Sequence, residues 1–222
     1  MYKRQDQSDP CHSAIKEYIQ KNYTYPTEDS PLGLQNRLNS PISTSIYNEQ
    51  GELKSEEYHY KDFGANVLAI EKVDFKGRGG LLKSSATITK RNDKGTILEV
   101  ISPTGVYTSY IYAYGGRYLV AELVNVSYAT LEAATNSLDI SLDSLIQSNS
   151  EALIKTQTHQ LRNYLTAGQI TSYTHIPLVG ISQIIDVRGR EMTYTYDGYN
   201  RLVFIKDHDG NIVSKNTYNY KN

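Results

Sequence analysis

The stretch EMTYTYDGYNRLVFIKDHDG, at positions 191–210, decides the fold class. Tyr194 and Tyr196 are two residues apart, so in an extended chain both rings lie on the same face. Asp197 follows them, and a polar segment then leads into a second apolar run that ends in Asp-His-Asp-Gly. Short apolar runs separated by Asp, Asn and Gly are typical of β-hairpins. The stretch therefore predicts one unit of a repeating antiparallel β architecture.

The same arrangement recurs along the chain. Four-residue turns begin with Asn, Ser or Asp and end in glycine, and strand-like segments after them carry a Tyr-x-Tyr pair. The turn glycines are Gly51, Gly95, Gly105, Gly189 and Gly210, and the paired tyrosines are Tyr58 and Tyr60, Tyr110 and Tyr112, Tyr194 and Tyr196, and Tyr218 and Tyr220. The spacing from glycine to the first tyrosine is 5 residues in two units and 7 or 8 in the others. The repeat is therefore present but degenerate.

Each part of this unit has a physical reason. An Asp, Asn or Ser side chain at the first turn position can accept a hydrogen bond from the backbone two residues further on, and glycine at the last position adopts a positive φ without steric cost. Such a turn suits a hairpin with a G1-type bulge. If adjacent hairpins align, their tyrosine rings become cross-strand neighbours, worth roughly 0.2–1 kcal/mol per pair. We therefore predict a ladder of tyrosine rings along the sheet.

Residues 128–168 interrupt this pattern. No Gly or Pro occurs from Tyr128 to Thr166, and the apolar residues follow helical spacing. Ser148-Asn-Ser-Glu151 reads as a capping box that opens a helix, and Gly168 can close it. We predict one or two helices inserted between β units, covering an edge or a face of the sheet.

The chain therefore divides into four segments. Residues 1–40 form a poorly defined N-terminal segment, in which 13–22 could be a short helix. Residues 41–127 form a β-hairpin repeat region, 128–168 the helical insertion, and 169–222 the C-terminal hairpins. Residues 1–5 resemble the translated end of a sequencing-library adapter, so we expect them to be non-native and the chain to be cut from a longer protein. The alternative is an ordinary polar N-terminus.

Composition excludes several classes of function. The net charge of the 222 residues is −1, which gives no electrostatic basis for binding nucleic acid or an anionic membrane surface. No apolar run approaches the roughly 20 residues of a membrane span, and the single Cys11 excludes an internal disulfide. There are 20 Tyr against 3 Phe and no Trp. This preference suggests rings packed on a sheet, with hydroxyls that reach water or a partner.

The segment TYTYDGYNRL, at 193–202, resembles a YD repeat, the tyrosine–aspartate unit of bacterial Rhs-type proteins. The family unit reads Tyr-x-Tyr-Asp, two residues, then Gly-Arg-Leu, and the matching residues here are Tyr194, Tyr196, Asp197, Arg201 and Leu202. Asn200 stands where the family has glycine, and Asn tolerates the left-handed conformation better than other non-Gly residues. The other units match less well, which leaves the number of repeats open. The resemblance covers most of residues 41–127 and 169–222.

This resemblance implies a mainly β fold, with antiparallel YD-repeat hairpins in a curled sheet that is a fragment of a β-shell. It also implies a long bacterial protein that is secreted or displayed at the cell surface. Some relatives enclose a toxic C-terminal domain. No self-cleavage motif is visible here, so we do not extend the toxin-delivery function of those relatives to this chain. Extracellular or cell-surface localisation follows from the resemblance alone, because this segment shows no signal peptide.

Motifs for chemistry are weak. Asp207-His-Asp-Gly-Asn211 resembles the start of a calcium loop, but the twelfth position is Tyr218 rather than Glu, so a hairpin turn is the better interpretation. The glycine-rich stretch 75–80 lacks the P-loop ending, and adjacent Cys11 and His12 do not make a nucleophile–base pair. No two histidines have metal-ligand spacing; they are His12, His59, His159, His175 and His208. We predict no metal and no cofactor.

The sequence thus favours a non-enzymatic structural or scaffold part of a large Rhs-type YD-repeat protein. Its partners would be the upstream repeats of the same longer chain. The alternative is a carbohydrate- or protein-binding surface module that uses exposed tyrosines. An enzyme that gathers a carboxylate pair from distant strands stays open, although no spacing points to one.

Overall fold

The computed structural model describes residues 19–219, and the chain forms two compact units. The first unit extends to residue 88 and includes 92–95; the second comprises 89–91 and the chain from residue 96 onward. The described residues contain fourteen strands in two antiparallel sheets and four helices. This confirms the prediction of a mainly β fold. None of these helices has the length and apolar character needed to cross a membrane.

The first unit is a five-stranded sheet in which sequence order equals spatial order. Its elements are β1 (Gln20–Thr24), α1 (Pro31–Leu34), β2 (Ser43–Asn48), β3 (Gly51–Asp62), β4 (Leu68–Gly77) and β5 (Lys83–Ser84). The helix predicted at 13–22 is wrong for residues 20–22, which lie in β1 and pair with β2. Pairing with a neighbouring strand has outweighed the local helical pattern there. The rest of that segment lies outside the described residues.

The second unit contains a nine-stranded sheet, also in simple sequence order, whose first strand begins two residues before the boundary of the unit. Its first four strands are β6 (Thr87–Arg91), β7 (Ile97–Ile101), β8 (Tyr107–Ala113) and β9 (Tyr118–Val124). Three helices follow: α2 (Tyr128–Ser137), α3 (Leu142–Gln147) and α4 (Glu151–Tyr164). The last strands are β10 (Gln169–Ile176), β11 (Gly180–Ile185), β12 (Glu191–Tyr196), β13 (Leu202–Lys206) and β14 (Ile212–Lys215). Because β9 pairs directly with β10, the helices are an insertion between two neighbouring strands.

The core of the second unit lies between the helices and one face of β8, β9 and β10. In β8, Ile111 and Ala113 are buried and alternate with half-buried Tyr110 and Tyr112. Leu123 and Ile170 join the same core from the neighbouring strands, and the helices add Leu131, Leu145, Ile154 and Leu161. Since alternate residues of a strand face opposite ways, Tyr110 and Tyr112 lie on the sheet face away from the helices.

The helical insertion differs from the prediction in number and boundaries. It contains three helices rather than one or two, because Ser141 caps α3 by accepting a hydrogen bond from the Ser144 amide. The N-cap of α4 is Ser150 and not Ser148, which instead ends α3. The helix ends at Tyr164, and Gly168 is not its cap. A Cβ on Gly168 would lie 2.4 Å from the Val126 side chain, so this glycine is required for close packing.

Candidate functional site

The recurrent feature of the structure is a hairpin turn closed by an aspartate. In the turn after β12, Asp197 Oδ1 accepts hydrogen bonds from the backbone amides of Tyr199 (2.9 Å) and Arg201 (3.0 Å). Its Oδ2 accepts from Arg201 Nε at 2.8 Å and Nη2 at 2.6 Å. The Asn200 amide donates to the Asp197 carbonyl, with a φ of 62° at Asn200. One carboxylate therefore closes the turn and holds the arginine that follows it.

The same geometry occurs in the turns on either side. Asp186 Oδ1 accepts from the amides of Arg188 and Arg190 at 2.8 and 2.9 Å, and its Oδ2 binds the Arg190 guanidinium. Asp207 binds the amides of Asp209 and Asn211 in the same way, with Asn211 in place of arginine. The capping aspartates are 11 and 10 residues apart. The sequence predicted the Asp that opens each of these turns and the backbone hydrogen bond of its side chain, but not the contact of its Oδ2 with the side chain four residues further on.

These contacts lower the pKa of the capping carboxylates. Hydrogen bonds from the Arg201 side chain and amide lower the pKa of Asp197, and those from Arg190, its amide first, lower the pKa of Asp186. Desolvation is the largest single effect on Asp207 and raises its pKa, but the hydrogen bonds from Asn211 and from the Asp209 amide, with the nearby His208, together leave the pKa below its usual value. Each aspartate is therefore held in the charged form that accepts these bonds.

The predicted turn glycines have the backbone conformation that their turns require. The φ angles are +116° at Gly51, +81° at Gly95, +85° at Gly105, +80° at Gly189 and +84° at Gly210. The amides of the last four donate to the carbonyl of the first turn residue at 2.9–3.0 Å. At most of these positions the left-handed conformation, rather than crowding, selects glycine, because no atom lies within 4 Å of a Cβ built on any of them except Gly95.

A second recurrent feature is a shift of register inside four of the strand pairs. The strand register shifts by one residue immediately before the second aromatic residue of four pairs. Those pairs are Tyr58 and Tyr60, Tyr110 and Tyr112, Tyr173 and His175, and Tyr194 and Tyr196. The returning strand carries the extra residue, which is Glu71, Val120, Ser182 or Val203 respectively. This arrangement is a β-bulge, which bends and twists the strand that contains it.

The predicted tyrosine ladder is wrong. In the antiparallel register Tyr194 lies opposite Ile205 and Tyr196 opposite Leu202. The first-unit pair, Tyr58 and Tyr60, likewise lies opposite Val73 and Ile70. Tyr110 faces Glu122, and Tyr112 faces Leu119. The rings therefore pack mainly against aliphatic side chains, because each bulge sets a register in which no tyrosine of these pairs meets another directly across the strand.

Three of the predicted tyrosines use their hydroxyl groups to make hydrogen bonds that phenylalanine could not make. Tyr196 Oη donates to the Ile181 carbonyl at 2.9 Å, on the preceding strand. Tyr60 Oη donates to the Pro41 carbonyl at 3.2 Å, just before β2, and Tyr218 Oη donates to the Leu202 carbonyl at 2.9 Å. Each of these rings reaches back along the meander and ties its hairpin to the previous one. Tyr218 does so from the chain beyond β14, so it is not the strand residue that was predicted, and Tyr220 lies outside the described residues.

Arg201 connects the aspartate turn with two of these rings. Its guanidinium carbon lies 4.4 Å from the Tyr218 ring centroid and 5.2 Å from that of Tyr199. Tyr199 is 79% exposed, and Tyr218 is 43% exposed. Three residues singled out in the stretch 193–202 thus join one cluster with Tyr218: Asp197 binds the Arg201 side chain, the Arg201 guanidinium lies over the Tyr218 ring, and the Leu202 carbonyl accepts a hydrogen bond from the Tyr218 hydroxyl.

One residue outside the repeat also ties strands together. The Arg162 side chain, from α4, donates to the carbonyls of Ile170 (2.5 Å) and Asp186 (2.6 Å) and to Ser172 Oγ (3.2 Å). It thereby links the helix to β10 and to the turn after β11. No local motif marked this residue, because its partners are 8 to 24 residues away in the chain.

The first unit contains a cavity of about 1000 Å³. On its wall, Asp74 Oδ2 lies 2.8 Å from His59 Nε2 and 3.0 Å from Lys72 Nζ, while Ser84 Oγ donates to Asp74 Oδ1 at 2.6 Å. Hydrogen bonds from Ser84 and Lys72, with a further one from His59, lower the pKa of Asp74 to about 2. The carboxylate stands between the serine and the histidine, so the histidine is not placed to take a proton from that hydroxyl, as nucleophilic catalysis requires.

Asp207, His208 and Asp209 bring three possible ligand atoms within 4.8 Å of one another. Both Asp207 oxygens accept hydrogen bonds from its own turn, and His208 Nε2 lies 3.5 Å from Asp209 Oδ2. The contacts of Asp207 are those of the other capping aspartates. This cluster is thus explained by the turn that it forms, in agreement with its interpretation as a hairpin turn.

No protein-family model matches the chain, and no curated protein matches it. Among solved structures, a chain from the crystal structure of TcdB2-TccC3-Cdc42 is similar over 84% of this chain, with 16% sequence identity and a TM-score of 0.40. This chain spans 8% of the length of that one. A TM-score this low does not establish a shared fold.

Proposed function

We propose that this chain is a non-enzymatic structural module, a wall segment of a large YD-repeat protein that is secreted or exposed at the bacterial surface. The observation that carries this proposal is the repeated hairpin unit. Aspartates 186, 197 and 207 close successive turns in one way, and a bulge follows the same position of four aromatic pairs. A unit that binds its own turn and its neighbour can be added many times without new types of contact.

The sheet edges indicate where further units would join. On β14, Ile212 and Val213 are 53% and 54% exposed. In the nine-stranded sheet β14 pairs only with β13, so one of its sides is an open edge within the described residues. Unprotected apolar edges favour pairing with another strand. Repeats of the same longer chain are the partners that we propose for such edges.

The test is the structure of the protein encoded by the complete open reading frame, determined by electron microscopy. We expect many further Tyr-x-Tyr units, and hairpins with the aspartate turn and bulge that continue the sheets described here. A complete protein in which residues 19–219 form an isolated domain, with β14 exposed to solvent, would contradict the proposal. Recovery of the protein from the culture medium or cell surface of the source bacterium would test the localisation separately.

A second candidate function is binding of a surface carbohydrate, favoured by one group of residues. Tyr199 is the most exposed tyrosine among residues 19–219, and it lies beside Arg201 and the partly exposed Tyr218. An exposed ring next to a guanidinium offers a flat stacking surface with polar groups at its edge. Binding on a glycan array that is lost in Tyr199→Ala but retained in Tyr164→Ala, an exposed tyrosine elsewhere, would support this function. No binding across a broad array would exclude it for the glycans tested.

A further inference from the structure

Two Asp-Gly dipeptides lie in neighbouring turns of the repeat, at Asp197-Gly198 and Asp209-Gly210. The side chain of an aspartate before glycine is open to attack by the amide nitrogen of the glycine, because glycine has no side chain to hinder the approach. Asp197 is the first residue of its turn, whereas Asp209 is the third residue of the turn that Asp207 begins. The two dipeptides therefore present the same reactive group in different structural settings.

The contacts of Asp197 protect its side chain from this attack. Its carboxylate accepts hydrogen bonds from the Arg201 guanidinium and from the amides of Arg201 and Tyr199, at 2.6–3.0 Å. These bonds, those of the Arg201 side chain first, lower the pKa of Asp197. The neutral carboxyl group, from which an oxygen can leave as water, is therefore rarely formed there.

The Asp209 side chain is much less restrained. It is 66% exposed, and within residues 19–219 the only ion pair of its carboxylate is with His208, whose Nε2 lies 3.5 Å from Oδ2. An imidazole in this position can deliver the proton that a leaving carboxyl oxygen requires. The Gly210 amide donates to the Asp207 carbonyl at 3.0 Å, so one hydrogen bond must open before its nitrogen can attack.

We propose that Asp209 is a modification site, at which the folded chain converts spontaneously to isoaspartate. The Gly210 nitrogen forms a bond to Asp209 Cγ, and the bond from Cγ to one carboxyl oxygen breaks. That oxygen leaves as water, with the carboxyl proton, which His208 supplies, and the proton of the Gly210 amide. Water then opens the resulting succinimide ring at either carbonyl. Opening at the backbone carbonyl gives isoaspartate, and the reaction needs no oxidant or reductant.

The product changes the turn between β13 and β14. Because the main chain of isoaspartate runs through Cγ, it is one carbon longer, and the amides of Gly210 and Asn211 leave the positions from which they donate to Asp207. Within the described residues β14 pairs with no strand other than β13, so the opened turn loosens β14. The reaction needs only the local geometry and is independent of the structural role proposed above.

The test is incubation of the full 222-residue chain at pH 7 in water enriched in oxygen-18. Hydrolysis of the succinimide leaves one labelled oxygen atom in the product, whichever carbonyl is attacked. Digestion with trypsin in ordinary water then places the two sites in separate peptides, 191–201 and 207–215, for mass spectrometry. We expect labelling at Asp209 to be about tenfold faster than at Asp197, the factor that corresponds to one hydrogen bond with a charged group.

Unfolding the chain in urea provides the matched control, because it removes both turns and keeps the sequence, so the two sites should then be labelled at similar rates. Asp209→Glu, whose longer side chain disfavours ring closure, should abolish the labelling at this position, and His208→Gln should slow it. In the isomerised chain the amides of β14 should exchange with solvent faster. Equal labelling of the two sites in the folded chain, or labelling of Asp209 only after unfolding, would overturn the proposal.

Discussion

Substitution of Gly189 tests the conformation of the repeated turn without changing its packing. Gly189 has a φ of +80°, and no atom lies within 4 Å of a Cβ built on it. The cost of a side chain there is therefore conformational: an L-residue in the left-handed region costs roughly 1–2 kcal/mol, and a β-branched residue is at the upper end. We expect Gly189→Val to lower the free energy of unfolding of the nine-stranded sheet by about 2 kcal/mol.

The chain itself supplies matched controls in the next turn. Gly198 occupies the position equivalent to Val187, is not in the left-handed region, and also has open space around its Cβ. Gly198→Val should therefore lower the free energy of unfolding only slightly. Asn200 occupies the position equivalent to Gly189 with a φ of 62°, so Gly189→Asn should be much milder than Gly189→Val.

The assay is a urea titration followed by NMR signals of β11 and β12, which report on the nine-stranded sheet separately from the other sheet. With a slope of about 2 kcal/mol per molar, a loss of about 2 kcal/mol lowers the urea midpoint by about 1 M. Equal midpoints for Gly189→Val and Gly198→Val would refute the reasoning, because the two variants add the same side chain and differ only in backbone conformation.

Three further predictions concern packing and charge. Tyr196→Phe should lower the free energy of unfolding, measured by urea titration, by about 0.5–1.5 kcal/mol, because the Ile181 carbonyl loses its hydrogen-bond donor. Tyr194→Phe removes no observed hydrogen bond, so it should leave the free energy of unfolding almost unchanged. Gly180→Ala should lower the free energy of unfolding by about 1–3 kcal/mol, because the new Cβ would lie 2.4 Å from Tyr196 Oη. In a Tyr196→Phe background, which lacks that hydroxyl, the same substitution should lower it by less. If the effects of the two substitutions were additive, this contact would not be their cause. The pKa of Asp74 is lowered to about 2, so the charged carboxylate stabilises the first unit above about pH 4 and this stabilisation is lost as the pH falls toward 2. Asp74→Asn should therefore flatten the dependence of the melting temperature on pH in this acid range. An unchanged pH profile in the variant would contradict this role of Asp74.

The turns were predictable from sequence because their chemistry is local. The Asp186 carboxylate binds amides two and four residues ahead, so residue type and spacing alone specify the contact. The same holds for the positive φ at Gly189 and for its replacement by Asn200 in the next turn. The alternation that placed Tyr110 and Tyr112 on a sheet face is local in the same sense.

The pairing of strands was not predictable, because it depends on where the bulges fall. The extra residue Val203 makes Tyr196 face Leu202, and nothing within four residues of Tyr196 specifies that register. The contact of His59 with Asp74 has the same origin, since the two are 15 residues apart and meet only through the register of β3 and β4. The boundaries of α3 and α4 were missed for a different reason: several serines in this region can cap a helix, and packing selects among them.

The hydrogen bonds of the repeat divide into two ranges, and the division determines how the structure can grow. The aspartate of each turn binds atoms within four residues, so it stabilises its own hairpin in any context. The tyrosine hydroxyl reaches the preceding strand, 15 or 16 residues back for Tyr196 and Tyr218, so it requires that the previous hairpin is in place. In the hairpins that Tyr196 and Tyr218 join, each turn is thus closed locally and a tyrosine hydroxyl couples it to the preceding strand, the arrangement that in repeat proteins makes stability a sum of unit and interface contributions. A phenylalanine in place of one of these tyrosines should therefore keep the local turn of the hairpin and weaken only its junction with the preceding strand.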